Sequence, residues 1–249
     1  MQYRASFVTM CLGTLLNSAT EFISIWALFY RFGQLKGWRL EEVALFYGIV
    51  STSFAISESV SRGFDLLDRL IRAGNFDRLP LRPRSTAFQV AACEWQLMRV
   101  GRLALGLIVL AWGGQRLDIQ WFPANLALVA LAILGGTCLF YGLFVLQATL
   151  SFWTVEGLEI TRCVTNGGNE TAQYPLSIYR PWFRRFFVFV VPLACVTYFP
   201  VLAILRRRDA VLGSPRWFQT AAPLIGIVFL LVSLQVWRFG VRHYRSTGS

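Results

Sequence analysis

The sequence predicts an all-α, polytopic integral membrane protein: six membrane-spanning helices, both termini on the inner side, and a short helix in an inner loop. Three observations predict this. First, hydrophobic residues fill 55% of the 249 positions and charged residues only 15%, where a soluble domain carries about a quarter charged. Second, the apolar residues fall in long runs, most of them near the ~20 residues that cross a hydrocarbon core about 30 Å thick. Third, the basic residues are unevenly shared between the two sets of connecting segments, as in inserted helical proteins.

The first run covers about Ser6 to Tyr30, interrupted by Glu21. The second covers about Val43 to Val60, with Glu58 near its end. The third is weaker. It begins near Phe88, carries Glu94, Arg99 and Arg102, and is purely apolar only from Leu103 to Trp112. That stretch reaches roughly 15 Å at ~1.5 Å per residue, too short to cross, so its arginines are expected at the interface or snorkelling towards it. The fourth run is free of charge from Ile119 to Val155, and Pro123 marks its start. The fifth lies between Arg185 and Arg206 and the sixth between Arg216 and Arg238.

The net charge of +11 comes from 23 arginines and Lys36 against 13 acids. With the N-terminus inside, sixteen basic residues fall on inner segments and eight on outer ones, which sets the N-in, C-in expectation. The outer cluster Arg206–Arg208 runs against it. Because the basic residues sit between apolar runs rather than on a solvated face, nucleic-acid binding is not expected.

Two inner segments stand out, at about 62–86 and about 156–185. In the first, Phe64, Leu67 and Ile71 share one helical face while Asp65, Asp68, Arg69 and Arg72 fall on the other. Asp65–Arg69 and Asp68–Arg72 have i,i+4 spacing. Gly74 and Asn75 end this helix, Pro80 and Pro83 forbid helix around them, and Ser85 or Thr86 is placed to cap the next. Such an amphipathic helix either lies on the membrane surface or acts as a strut taking force from an inner partner. In the second segment, Glu156 and Glu159 are expected on an extension of the fourth span. Thr165-Asn-Gly-Gly reads as a turn, and Pro175 and Pro181 bracket a short stretch. Asn169-Glu-Thr171 matches a glycosylation sequon by chance.

The chemistry is bounded by what the chain lacks. A phosphate-binding loop needs a lysine after glycine, and the one lysine, Lys36, follows Leu35. The one histidine, His243, lies near the C-terminal end, so a His-based hydrolase or a multi-histidine zinc site is not expected. The cysteines Cys11, Cys93, Cys138, Cys163 and Cys195 form no C-x-x-C and read as small buried residues. No cleavable leader is expected from the long first run. No catalytic, cofactor or metal residue is therefore assigned in this chain. Glu21, Glu58 and Glu94 remain. An intramembrane carboxylate is either functional or held by a buried partner such as arginine; Glu94 is expected at the interface, paired with a nearby arginine.

The stretch Gly63-Phe-Asp65, continuing through Gly74-Asn-Phe-Asp77 to Leu81-Arg82-Pro83, resembles the inner loop of a permease family among the type-2 ABC exporters. Tyr174-Pro-Leu-Ser-Ile-Tyr179, Val191-Pro192-Leu-Ala-Cys-Val-Thr-Tyr198-Phe199-Pro200 and the ending Tyr244-Arg-Ser246-Thr-Gly248-Ser resemble it also, so the likeness runs from about residue 38 to the end. The loop departs from the family pattern at Pro80, where leucine is common.

The resemblance implies a single permease domain over 1–249 that pairs with itself or a sister permease, meets membrane lipid, and is served by separate ABC ATPase subunits carrying ATP and magnesium. It implies that Phe64, Asp65, Leu67, Asp68, Ile71, Asp77 and Arg82 couple to that ATPase, which favours the strut. It places Glu21, Pro192 and Pro200 as pathway or structural residues, with a re-entrant element after the fifth span that holds Arg206–Arg208 and Pro215. Export of a hydrophobic or amphiphilic molecule across a bacterial inner membrane is the implied function. A proton-coupled transporter or channel using Glu21, or a membrane scaffold, is the alternative that the residues leave open.

Overall fold

A computed structural model describes the backbone of residues 2–153, 158–209 and 211–244 and the side chains of 6–153, 163–209 and 211–244. Five helices are long and apolar enough to cross a membrane among these residues, or six if one bent pair counts as a single span. They are α1 (Gln2–Phe32), α2 (Leu40–Asp65), α5 (Val100–Arg116, with a preceding 3-10 turn from Leu97), α6 (Pro123–Leu150) and α12 (Leu224–His243). Shorter helices fill the connections: α3 (Leu67–Arg72), α4 (Thr86–Ala92), α7 (Leu158–Ala172), α8 (Pro181–Arg185), α9 (Leu193–Val196), α10 (Tyr198–Ile204) and α11 (Arg216–Ala221). Pro123 occupies the first turn of α6 as expected, where its missing N–H leaves no bond unmade.

α2 is the central helix, buried along most of its length between α5 and α6. Such approaches need small residues, because lipid tails supply no hydrophobic drive between helices and close backbone packing must replace it. Gly106 of α5 sits against Thr52 of α2, and Gly226 of α12 lies directly on the Gly135 carbonyl of α6. α1 is peripheral. It meets α5 where Gly101 rests against the Cys11 carbonyl, and it leaves Phe7, Leu12, Leu16, Ile23 and Tyr30 exposed.

The buried side chains form two clusters. One gathers Trp38, Phe46, Leu176, Tyr198 and Phe199 near the α1–α2 turn. The other gathers Phe64, Leu67, Phe76, Phe144 and Trp237 at the opposite end of α2. This defines a Trp38 end and a Phe64 end of the bundle.

Several expectations are corrected. The third run is not one helix: the chain breaks between α4 and the turn at Leu97, and Glu94 lies exposed in the break. Thr165-Asn-Gly-Gly is helical, inside α7, because Gly168 must pass close to Leu193. Glu159 belongs to α7 rather than to an extension of α6; its side chain, like Glu156 and the ending beyond Tyr244, lies outside the described residues. Asn169 is buried in α7, so the sequon is no acceptor. Of the five cysteines, Cys195 is buried, while Cys93 and Cys163 are exposed.

The largest correction concerns the segment 156–185, expected to stay at the Phe64 end. Thr165 does meet Gln147 there, at 3.4 Å. Further along, however, Trp38 donates to Ser177 at 2.9 Å and Lys36 to the Ile178 carbonyl at 3.3 Å. α7 and the turn after it therefore climb to the Trp38 end. α8 and a π-helical turn (Phe186–Val190) descend to the level of Leu143 and Gln147, where they line one groove with α6. α9 and α10 then climb again, bent by 74° from the descending piece. Arg180 and Arg184 thus leave the Phe64 end, which narrows the basic asymmetry behind the N-in, C-in expectation.

Gly226→Val is expected to lower thermal stability by about 1–3 kcal/mol through overpacking against α6. Gly13→Ala, with open space around it inside α1, should instead raise it by about 0.5–1 kcal/mol, because alanine gives up less backbone freedom in a helix. A thermal melt of each purified variant in one detergent checks both.

Candidate functional site

The inner loop folds back on the bundle as a platform. α2 ends at Asp65 because Leu66 leaves helical geometry, at φ −98° and ψ 3°. α3 then starts afresh, which takes Asp65 off its face and away from Arg69. Asp68 and Arg72 do share α3, yet neither expected pair forms among the described residues. Instead Asp65 pairs with Arg62 at 3.2 Å and receives the Gln147 amide at 3.2 Å. Gly74 closes α3 at φ +67°, a left-handed position where a side chain is disfavoured. A 3-10 turn, Asn75–Arg78, follows, then the chain bearing Pro80 and Pro83. Gln89 of α4 spans that chain, donating to the carbonyls of Leu79 (3.1 Å) and Arg84 (3.0 Å). Ser85 stands at the N-cap position of α4 without a side-chain bond, and Thr86 accepts instead from the Trp237 indole at 3.0 Å.

The apolar face of Phe64, Leu67 and Ile71 is neither on the membrane nor open to a partner. All three are buried within the chain. Phe64 meets Trp237 and Tyr141 edge-on, with ring centres 5.4 and 5.6 Å away. Phe76 packs on Tyr244 and Phe152 at 4.9 and 5.3 Å. Tyr244 donates to Asp77 at 2.9 Å, and burial with that bond pushes its hydroxyl up to about 12, keeping it a donor at physiological pH. Gly63 lets α2 touch the Val90 carbonyl of α4, where any side chain would collide. The family-like glycines, aromatics and aspartates thus bind the loop to the ends of α6 and α12.

The outward side is basic: Arg69, Arg72, Arg78, Arg82 and Arg84 are exposed, with Asp68 half-buried beside them. Leu81 is 84% exposed. A surface cleft of about 480 Å³ is lined by Leu79, Arg82, Pro83, Arg84, Phe88 and Cys93, among others. Sequence reasoning missed Gln89, Gln147 and Trp237; Gln147 and Trp237 act across long sequence separations, Gln89 within its own loop, and only Trp237, an indole near the end of an apolar run, carried any signal.

A second cluster lies inside the bundle. Arg102 of α5 reaches Glu21 of α1 at 2.7 Å and Glu58 of α2 at 3.9 Å, with its guanidinium 5.3 Å from the Phe54 ring centre. Arg99 pairs with Glu58 at 2.8 Å. Arg102 therefore turns inwards instead of snorkelling, because two carboxylates meet it there. Arg99 goes to Glu58, and Glu94 makes no salt bridge among the described residues. The four charges balance and join three helices.

Pro192 sits in the break between the π-helical turn and α9. Pro200 does not kink a helix: the chain restarts at Tyr198, so Pro200 falls in the first turn of α10, where an N–H is not needed. The groove between α6, α7, the π turn and α12, about 380 Å³, is lined by Leu143, Phe186, Val190 and Phe229 with Gln147, Thr149 and Thr165 as polar groups. No group of three or more His, Cys, Asp or Glu suited to a metal occurs among the described residues.

At the Trp38 end, α10 closes with Arg206 at φ +53°. Its neighbour Arg207 pairs with Glu42 at 2.8 Å over the Trp38 ring. Asp209 organises the loop that follows. Burial pushes its carboxyl up, but hydrogen bonds from the Ser214 side chain and from the N–H groups of Val211, Leu212 and Ser214 outweigh this and hold it below the usual aspartate range.

A family model described as ABC-2 family transporter protein matches residues 15–248. Neither the curated proteins nor the solved structures gave a match.

Two outcomes are expected. Arg102→Met strands Glu21 and should destabilise the protein by roughly 3 kcal/mol, with E21Q/R102M recovering most of it; thermal melts check this. Because the folded pKa of Asp209 is lowered, its contribution is present above the ordinary aspartate pKa and is lost as pH falls below it. Amide exchange at Val211, Leu212 and Ser214 should therefore speed up, relative to the intrinsic rate, below about pH 4, and D209N should remove that dependence.

Proposed function

The chain belongs to the ABC-2 family of transporter proteins, and from that premise we propose that it is the permease subunit of an ATP-driven exporter. Two permeases, identical or sister chains, pair in a bacterial inner membrane. Separate ABC ATPase subunits, carrying ATP and magnesium, dock on the platform between α2 and α4, with both termini on that cytosolic side.

The observation that carries this reading is the two-sided build of the platform. Its outer side offers Arg82, Arg78 and the exposed Leu81 to a partner, and its inner side is fixed by Phe64, Phe76 and Asp77 to α12 and α6. Closure of an ATPase pair against the outer side would move α2 and α12 together, because no soft joint lies between them. Leu67 and Ile71 act here as internal anchors, so charging them would collapse the platform rather than probe docking. The groove below α7, apolar with the polar groups of Gln147, Thr149 and Thr165, suits a hydrophobic or amphiphilic substrate. Glu21 is held by Arg102, which supports a structural role and lends nothing to proton coupling.

Affinity purification of the tagged chain from native membranes in mild detergent, with mass identification, is expected to recover a P-loop ATPase in near-equal amount. Arg82→Glu should cut that recovery at least ~10-fold, the effect of losing about 1.4 kcal/mol of binding, while leaving the melting temperature of the permease unchanged. Recovery of the chain alone, under conditions that keep other complexes intact, would defeat the reading.

A further inference from the structure

The geometry points to a phosphate-binding cleft at the Trp38 end, formed by Arg208 and Arg216 over Gln219, whose ligand is the phosphodiester of an anionic lipid headgroup. The cleft measures about 370 Å³ and is lined by Arg207, Arg208, Asp209, Gly213, Ser214, Pro215, Arg216 and Gln219.

Four features argue for it. Arg207 is already engaged by Glu42, the Gly37 carbonyl and the Trp38 ring, whereas Arg208 and Arg216 are exposed. The one acid in the cleft is bonded elsewhere and leaves a net positive charge: Asp209 turns its oxygens to the N–H groups of Val211 (2.9 Å), Leu212 (3.1 Å) and Ser214 (3.1 Å) and to the Tyr198 hydroxyl (3.3 Å). Two exposed guanidiniums that make no salt bridge among the described residues, in a concave site, suit a phosphate, which each can meet with two parallel N–H groups.

Gln219 closes the floor of the cleft. It is 2% exposed, its amide nitrogen is committed to Ser214, and its carbonyl oxygen is buried, so the floor presents no accessible acceptor to repel a phosphate. Two guanidiniums over such a floor favour an anionic headgroup over one whose phosphate is neutralised by its own choline. Depth is the last feature. Trp217 beside the cleft is 71% exposed and Leu212 is exposed as well; an outward indole next to arginines marks the level of lipid headgroups.

The test uses the full chain purified in detergent, with native mass spectrometry after equilibration with phosphatidylglycerol or phosphatidylcholine, with and without millimolar inorganic phosphate. Wild-type chain is expected to retain phosphatidylglycerol over phosphatidylcholine, and R208Q/R216Q to lose that retention at least ~10-fold. R238Q, at the opposite end, serves as the charge control and should match wild type. Matching melting temperatures establish that each variant is folded. If inorganic phosphate displaces the lipid from wild type and fails to bind R208Q/R216Q, the site stands and its ligand is the free anion. Unchanged lipid retention in R208Q/R216Q, or an equal loss in R238Q, overturns the assignment.

Discussion

The edge-on contact of Phe64 with Trp237, ring centres 5.4 Å apart, decides how the two ends of the chain's membrane region relate. Without it the loop after α2 would be an amphipathic appendage free to lie on a bilayer. With it, the end of α2, the end of α12 and, through Phe152 and Tyr141, the end of α6 form one aromatic block. Edge-to-face aromatic pairs add about 0.5–1.5 kcal/mol beyond burial, and several share this block. Gly63 makes it geometrically attainable by letting α4 come into contact with α2. The platform, its basic outer rim and its hold on Tyr244 all follow from that packing.

Much of this was legible in the sequence. Run lengths located α1, α2, α6 and α12, and Pro123 fixed where α6 begins. The 3.6-residue spacing of Phe64, Leu67 and Ile71 correctly identified one face. It did not say what covers that face, because the cover is Trp237, on the last helix. The same limit hid the fate of Arg102. A lone arginine near an apolar run snorkels by default, and only the fold brings Glu21 and Glu58 to it. Thr165-Asn-Gly-Gly failed for a different reason. Local preference favours a turn, but Gly168 is needed where α7 passes Leu193, and packing overrides propensity.

The two charged clusters differ in kind. The four charges around Arg102 are matched and half-buried, and they fasten a peripheral α1 that also meets its neighbours through Phe22, Ile25 and Phe29. Arg208 and Arg216 at the Trp38 end are exposed and make no salt bridge among the described residues. Only the second arrangement leaves an electrostatic demand for something outside the chain. The chain therefore meets its surroundings through basic surfaces at both ends, one beside the platform and one beside Trp217.

The polarity of α7 bears on how the protein is made. This helix carries Asn169, which is buried, and Asn166 and Glu170, which are exposed, and it climbs between the levels of Gln147 and Trp38. Such a segment does not partition into hydrocarbon by itself. Biogenesis therefore cannot proceed as a simple succession of spans handed one by one to the lipid. α2 and α6 must already stand together, offering Gln147 to Thr165 and covering Asn169, before α7 has anywhere to go. Its entry is a folding event that follows insertion, and the ascent of α9 and α10 must wait for it.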